Sequence, residues 1–436
     1  MALLEFGISA RRVLYGLCAF AMIMAGPVPC WPEDPGITPI MAWSPPPPGG
    51  KVGVIEGLDK DTLAALAESG VVQYFQPRKE KDRFDSVVGT MIYAPLEVVW
   101  KVAIDYEANC RLLPETYDQC ETVSRQDNQA RMHYKLHTSV LNFTFRLEIT
   151  DQYKEDPPYS WHLDTVDGDL VGRELDLLLV PAGKDKTMAF IRYFGAMRSM
   201  NAIVRIAISF IPEFESPIYM PAATYHLRGL KNEAERLAGR KPSDSNGPLD
   251  YSRLDPKTLE QLSRWYGGLL RETHQGKVLN NMAFIAIDAP PEVVWETMTD
   301  FDSYNRIFPD TRTTVEKRDK NELVLMQEGA GKLDVYIFEI SVDLHARYNL
   351  EPPDHMSYVA IDGLYKDSYG DIRLASFDNE NRTFAFASQN VVLERDRSLT
   401  MRMVKSGAFP FESTVNMTFA RDMLNQYKAE AEMRSR

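Results

Sequence analysis

Residues 94–114 read APLEVVWKVAIDYEANCRLLP, and residues 289–309 read APPEVVWETMTDFDSYNRIFP. Nine of the 21 paired positions are identical at a constant offset of 195: Ala94/Ala289, Pro95/Pro290, Glu97/Glu292, Val98/Val293, Val99/Val294, Trp100/Trp295, Asp105/Asp300, Arg111/Arg306 and Pro114/Pro309. A repeat of this kind governs how the rest of the chain is read. It extends both ways. Upstream, Leu58-Asp-Lys-Asp-Thr-Leu63 matches Leu254-Asp-Pro-Lys-Thr-Leu259, each opening a short helix that leads into a strand. Downstream, Pro157-Pro158 pairs with Pro352-Pro353, Asp167-Gly168 with Asp362-Gly363, and Pro212-Glu-Phe-Glu-Ser216 echoes Pro410-Phe-Glu-Ser413. Two homologous domains are expected, 57–241 and 254–436. Residues 242–253 link them, and the Pro-rich stretch 26–56, with its run SPPPPGG, precedes them as extended solvated chain.

Composition narrows the function. A chain of 436 residues suits two or three domains. A net charge of −13 argues against a nucleic-acid partner, whose phosphates call for a basic face. The same charge gives no help in docking to anionic lipid, so any transient membrane contact is expected to be local and apolar. Arg11 and Arg12 precede an apolar run, 13–25, too short to span a bilayer. It has the length and flanks of a secretory signal, 1–25, with cleavage after Ala21 or Ala25, and predicts a periplasmic or secreted protein. An oxidising compartment permits a disulfide between Cys110 and Cys120, ten residues apart; Asn305 occupies the first of these positions in the second copy, so such a bridge is a local staple.

Within a copy the periods are clear. Phe143, Phe145, Leu147 and Ile149 alternate with polar residues, as do Met132, Tyr134 and Leu136, and Leu175, Leu177 and Leu179. That is the two-residue period of strands with one dry face. Leu227, Leu230, Ala234 and Leu237 keep helical spacing near the end of the first copy, and Val415, Phe419, Met423 and Tyr427 do so in the second. Each copy therefore reads as an α+β domain: a strand, two short helices, about six antiparallel strands and one long helix. A sheet of about seven strands curls as it twists, and one helix laid across it leaves a pocket.

The phrase Ala-Pro-x-Glu-Val-Val-Trp, followed by Asp-Tyr or Asp-Phe and a proline nine residues on, resembles the START-like (SRPBCC) superfamily. Within it the chain looks most similar to the coenzyme Q-binding protein and polyketide cyclase branch, in tandem duplication. The resemblance implies the helix-grip fold twice, and a hydrophobic ligand between sheet and C-terminal helix. The repeated phrase itself reads as scaffold: prolines suit the first turn of a helix, Glu97 and Glu292 favour its dipole, and the valines and tryptophan pack it onto the sheet.

No nucleophile elbow, phosphate loop, dinucleotide glycine pattern or zinc-protease helix is present. Asp164, Asp167 and Asp169 alternate near a turn, but no bidentate Glu follows at calcium spacing, so no metal and no cofactor is expected. His133 and His137 lie opposite Met132, Tyr134 and Leu136 and are expected to face solvent, as are Arg146 and Arg192. His162 and His226 are the better polar groups for a cavity. The cavity lining expected from the inward positions is Tyr134, Phe143, Phe145, Leu147, Trp161, Leu177, Tyr225 and His226 in the first copy, with Ile337, Phe419 and Met423 in the second. Ile203, Val204, Ile206, Phe210 and Ile211 form an apolar flap at the expected cavity mouth; the second copy is more basic there.

These readings together predict an exported monomer that binds or transports a hydrophobic molecule (a lipid, isoprenoid quinone or sterol-like compound) without catalysis. An enzyme of cyclase, aromatase or hydrolase type in the same cavity is the alternative, and a ligand-free interaction module the second alternative. A dry greasy cavity favours the carrier, converging ionisable groups the enzyme, and a filled core the interaction module.

Overall fold

The computed structural model describes residues 57–77, 84–114, 116–140, 143–195, 215–318, 322–333, 338–377, 381–392 and 411–436. The expected signal segment, the Pro-rich linker, the flap and Ile337 lie outside the described residues, as do the side chains of Phe143 and Phe145. None of the described helices is long and apolar enough to cross a membrane.

The first half runs α1 (Lys60–Ser69), β1 (Val71–Pro77), β2 (Phe84–Ile92), α2 (Leu96–Ala103), a single turn (Tyr106–Ala108) and α3 (Asn109–Leu112). Six strands follow: β3 (Tyr117–Gln126), β4 (Gln129–Val140), β5 (Phe143–Asp156), β6 (Ser160–Gly168), β7 (Arg173–Gly183) and β8 (Lys186–Gly195), and α4 (Glu215–Leu237) closes the half. The second half repeats the order. It comprises α5 (Pro256–Arg264), β9 (Gly268–Glu272), β10 (Val278–Ile287), α6 (Pro291–Thr299), a turn (Phe301–Ser303) and α7 (Tyr304–Ile307). Then come β11 (Thr311–Arg318), β12 (Glu322–Leu333), β13 (Phe338–Glu351), β14 (His355–Gly363), β15 (Tyr369–Phe377), β16 (Arg382–Asn390) and α8 (Phe411–Arg434).

Local chemistry explains the repeated landmarks. Pro95 and Pro290 sit at the residue before the helix, and Glu97 and Glu292 fall in the first turn, where the helix dipole favours negative charge. Gly168 and Gly363 take φ of +94° and +91°, the left-handed region that glycine adopts without strain. A Cβ there would also meet the carbonyl oxygens of Glu148 and Asp343 at 2.0 and 2.5 Å. The turn is therefore written as Asp-Gly both times.

Each half contributes eight strands rather than about seven, because the strand after α1 or α5 joins the sheet as well. The two sheets are also one. Sixteen strands run in the order β11-β12-β13-β14-β15-β16-β10-β9-β1-β2-β8-β7-β6-β5-β4-β3, a layout mirrored about its centre. The join is antiparallel pairing of Val71, Val72 and Gln73 with Leu270, Leu269 and Gly268. Both faces of the centre are buried. On one side lie α4 and α8; on the other, α1 and α5 cover Val72, Tyr74, Leu269, Met282, Phe284, Phe384 and Phe386 in a second core.

The long helices do not present quite the stripes expected. In α4, Leu227, Leu230 and Ala234 are buried, but Leu237 is exposed. In α8 the buried stripe is Met417, Ala420, Leu424, Tyr427 and Ala431, whereas Phe419 and Met423 are only half-buried. The helix is rotated about one position from the reading based on Phe419 and Met423. A carboxylate then fixes each helix to its sheet: Glu235 accepts the Tyr93 amide at 3.0 Å and Glu432 that of Asp288 at 2.9 Å.

Candidate functional site

A cleft opens between α4 and the concave face of the first half. Its lining combines Val102, Ala103, Tyr106, Asn109, Leu112 and Leu113 from the α2–α3 region with Tyr153, Trp161, Leu177 and Ile191 from four adjacent strands. His226 and Leu230 of α4 complete it. The room it leaves for the centres of water-sized molecules is small, about 30 Å³, within about 450 Å³ of atom-free space that includes open solvent. That space holds one or two waters. A larger guest needs α4 or the α2–α3 segment to give way.

Aromatic rings make the walls. Tyr106 stacks on Tyr153 at 3.8 Å, and Tyr153 meets the edge of Trp161 at 5.4 Å. Tyr117 presents an edge to Tyr134 at 5.3 Å and to His226 at 6.3 Å. The Tyr134 and Tyr153 hydroxyls are 3.1 Å apart, and Tyr106 donates to Glu155 at 3.0 Å. Burial raises the hydroxyl pKa of Tyr117, Tyr134 and Tyr153, keeping each protonated and able to donate.

A buried ion pair lies behind these rings. Arg173 donates to Asp151 at 2.6 Å, to Thr165 at 3.0 Å and to the Tyr193 hydroxyl at 3.4 Å, while Thr165 donates to Asp151 at 2.6 Å. Burial opposes the Arg173 charge, but Asp151, Tyr193 and Tyr117 hold its pKa well above the ordinary value. Burial, helped by the Arg173 charge, pushes the imidazolium of His226 down to about 4, so His226 is neutral near pH 7.

One buried donor on a residue that lines this cleft stands apart. The indole N–H of Trp161 is buried and finds no acceptor among the described residues. A buried orphan donor costs about 1–3 kcal/mol, which a bound acceptor would recover.

The structure brings Trp161, Leu177 and His226 of the expected lining into the cleft and buries Tyr134 directly behind it. Leu147 and Tyr225 pack at the edge of the same core, half-buried. His162, expected as a cavity group, points out of the convex face instead, because its neighbours Trp161 and Leu163 take the inward positions. His133 and His137 lie on the outer face, bonded to Glu148 and Asp118. Arg146 is exposed, and Arg192 is held by Asp176 on the convex face. Cys110 and Cys120 are joined by a disulfide, Cα to Cα 5.9 Å.

Sequence reading missed Asp151 and Arg173. Asp151 shares the inward period of Ile149 and Tyr153, and that was the available signal. The second half carries no such pair. At the 195 offset, Asp151, Thr165 and Arg173 become Ala346, Ala360 and Ser368. Sheet pairing puts Gln389 where Tyr193 stands, and the 197 offset along the long helix puts Met423 at the place of His226. In the second half the corresponding space holds Tyr304 and Tyr427, hydroxyls 2.7 Å apart, and Tyr348 against Tyr358 and Phe301.

A curved antiparallel sheet gripped by one long helix, twice in one chain, is the helix-grip fold of START-like proteins. Residues 287–418 match the family model described as polyketide cyclase / dehydrase and lipid transport. Among solved structures, a di-domain ARO/CYC, BexL, from the BE-7585A biosynthetic pathway is 12% identical, covering 80% of this chain and 98% of that one, with a TM-score of 0.28. A START superfamily protein from Mycobacterium smegmatis is 15% identical over 35% of this chain and 98% of that one, TM-score 0.24. A STAR-related lipid transfer protein from Xanthomonas axonopodis is 11% identical over 38% and 94%, TM-score 0.28. No curated protein matches the chain. The fold assignment rests on the element order and sheet topology above.

Proposed function

We propose that the protein is exported and binds a predominantly apolar molecule carrying one hydrogen-bond acceptor, in the cleft of the first half. Lipids, isoprenoid quinones and sterol-like compounds fit that description once α4 or the α2–α3 segment moves aside. As it stands the cleft has room for water alone, the filled state a ligand-free interaction module predicts, and ligand uptake separates the two. The observation that carries the reading is the buried Trp161 N–H without an acceptor among the described residues, on a ring that lines a cleft walled mainly by aromatic and aliphatic side chains. Burial of apolar surface supplies most of the affinity, roughly 25 cal/mol per Å², and Trp161 with the neighbouring hydroxyls orients the head. Export is supported by the Arg11-Arg12 segment with its apolar run and by the disulfide, which persists in an oxidising compartment. Transient, apolar membrane contact would load the ligand, and the protein would act as a monomer.

Equilibrium dialysis of the full chain against a short-chain quinone, a sterol and a fatty acid tests this. Saturable uptake of at least one is expected. Trp161→Phe keeps an aromatic, though smaller, ring and removes the donor, and should weaken binding of an acceptor-bearing ligand about five- to tenfold. Uptake of none of the three would overturn the reading.

A second reading has one observation in its favour. His226, neutral at pH 7 and lining the cleft, is able to take a proton from a bound substrate, with tyrosine hydroxyls near to hold an oxyanion. An aromatase/cyclase-like activity on a poly-carbonyl compound would then fall at least a hundredfold in His226→Phe. Unchanged turnover in that variant removes this reading.

A further inference from the structure

Half of the residues that line the cleft come from one stretch, 102–113. The middle of that stretch is fixed in place. Tyr106 and Ala108 are buried, Tyr106 stacks on Tyr153 and donates to Glu155, and Glu107 accepts from Thr122 at 2.6 Å.

Residues 109–113 are held differently. None of the four residues of α3 is buried, and a helix that short has no stability of its own. Leu112 and Leu113 rest over Gly229 of α4, where an added Cβ would stand 3.2 Å from the Leu113 side chain. Arg111 reaches Glu233 at 3.5 Å, but its side chain is 65% exposed, and a pair of that kind contributes little. Asn109 meets the Tyr134 hydroxyl only at 3.5 Å. The strong tie is covalent, from Cys110 to Cys120 on β3.

The second half secures the same segment by packing. There Tyr304 and Ile307 of α7 are buried, and the Tyr304 hydroxyl bonds the Met298 carbonyl and Tyr427. Asn305, in place of Cys110, bonds both main-chain groups of Thr313. A thiol is a weak donor and a weak acceptor, so Cys110 released from Cys120 does not replace those bonds.

We propose that residues 109–113 are a lid on the cleft and that the Cys110–Cys120 bond is a redox latch that holds it down. The purpose of the latch rests on the ligand reading given above. A dithiol reductant opens it. One thiolate of the reductant attacks a sulfur of the disulfide, the other cysteine leaves as thiolate, and the second thiol of the reductant resolves the mixed disulfide. Two electrons and two protons pass to Cys110 and Cys120, and the reductant ends as its own disulfide. Both cysteines are half-buried rather than sealed in the core, which gives a thiolate access. Once reduced, the segment lifts about the turn at Tyr106–Ala108 and the cleft widens beyond the room for water.

Hydrogen exchange read by mass spectrometry, on the full chain oxidised and reduced with dithiothreitol, tests the latch without any ligand. Amides of residues 109–113 should exchange at least about tenfold faster after reduction, while those of β10 keep their rate. The double variant Cys110→Ala, Cys120→Ala should show the fast rate with or without reductant. Entry of the neutral apolar dye nile red, timed by fluorescence, should quicken about tenfold in parallel. Unchanged exchange in 109–113, a rise spread evenly over both halves, or dye entry at one rate in both redox states would each overturn the proposal. Faster exchange with no dye bound in either state supports the latch and counts against the ligand reading instead.

Discussion

Thr62 and Thr258 each hold the capping aspartate of their own helix and that of the other. The Thr258 hydroxyl accepts the backbone N–H of Asp59 at 2.8 Å, and the Thr62 hydroxyl accepts that of Asp255 at 2.7 Å. Each hydroxyl also donates to the Asp carboxylate that caps its helix. Both threonines are fully buried. The two halves are thereby joined on the face opposite the long helices. Thr62→Val or Thr258→Val should each cost about 2 kcal/mol, from the lost hydroxyl bond to the capping carboxylate and a part-buried amide left unpaired. Because the two sites share one network, the double variant should cost less than the sum. Urea unfolding of the four proteins measures this.

Asp151→Asn would leave Arg173 buried beside a neutral amide, and breaking such a pair costs about 3–5 kcal/mol. The second half shows how the same position is filled without charge. The triple variant Asp151→Ala, Thr165→Ala, Arg173→Ser copies its residues and should recover much of the loss, since no buried charge then lacks a partner. Thermal unfolding of both variants tests the contrast. Equal destabilisation would mean that the network fills space and nothing more.

His226 should make the protein acid-sensitive. Its folded pKa, about 4, lies below the ordinary value of 6.5, so the unfolded chain binds the proton first. The stability contributed by the neutral form is complete above pH 6.5 and is lost as pH falls from about 6.5 towards 4. The loss should approach about 3 kcal/mol, and His226→Phe should flatten that part of the stability curve. NMR titration of the ring should show no protonation at pH 5.5. A midpoint near 6.5 would refute this.

Cys110 and Cys120 staple the α3 region to β3; in the second half Asn305 does so with hydrogen bonds, accepting from the Thr313 amide at 2.6 Å and donating to its carbonyl at 3.2 Å. Replacing both cysteines by alanine should cost about 2–3 kcal/mol, the entropy of a short closed loop. Reductant should destabilise the wild type by a similar amount and leave the double alanine variant unchanged, as read by the melting transition.

The repeat exposed most of the fold because identical turn and cap residues recur at one spacing. It did not expose the continuous sheet. That join depends on main-chain pairing of β1 with β9, and the local sign was weak: Met282-Ala-Phe-Ile-Ala-Ile287 is apolar without alternation, as a strand buried on both faces must be. Trp161 and His226 were legible as cavity residues from strand and helix period. Asp151 and Arg173 were not, since charged strand residues read by default as solvent-facing. His162 was misplaced for a related reason: its period was masked by the buried Trp161 beside it, and only pairing with Asp176 reveals its face.

The most direct test is mass spectrometry of organic extracts from the full-length protein purified without detergent, with Trp161→Phe and a protein of unrelated fold in parallel. A single class of apolar, oxygen-bearing molecule should co-purify with the wild type and be depleted in the variant. Extracts indistinguishable from the unrelated protein, in a sample that also fails to take up added quinone, sterol or fatty acid, would contradict the account.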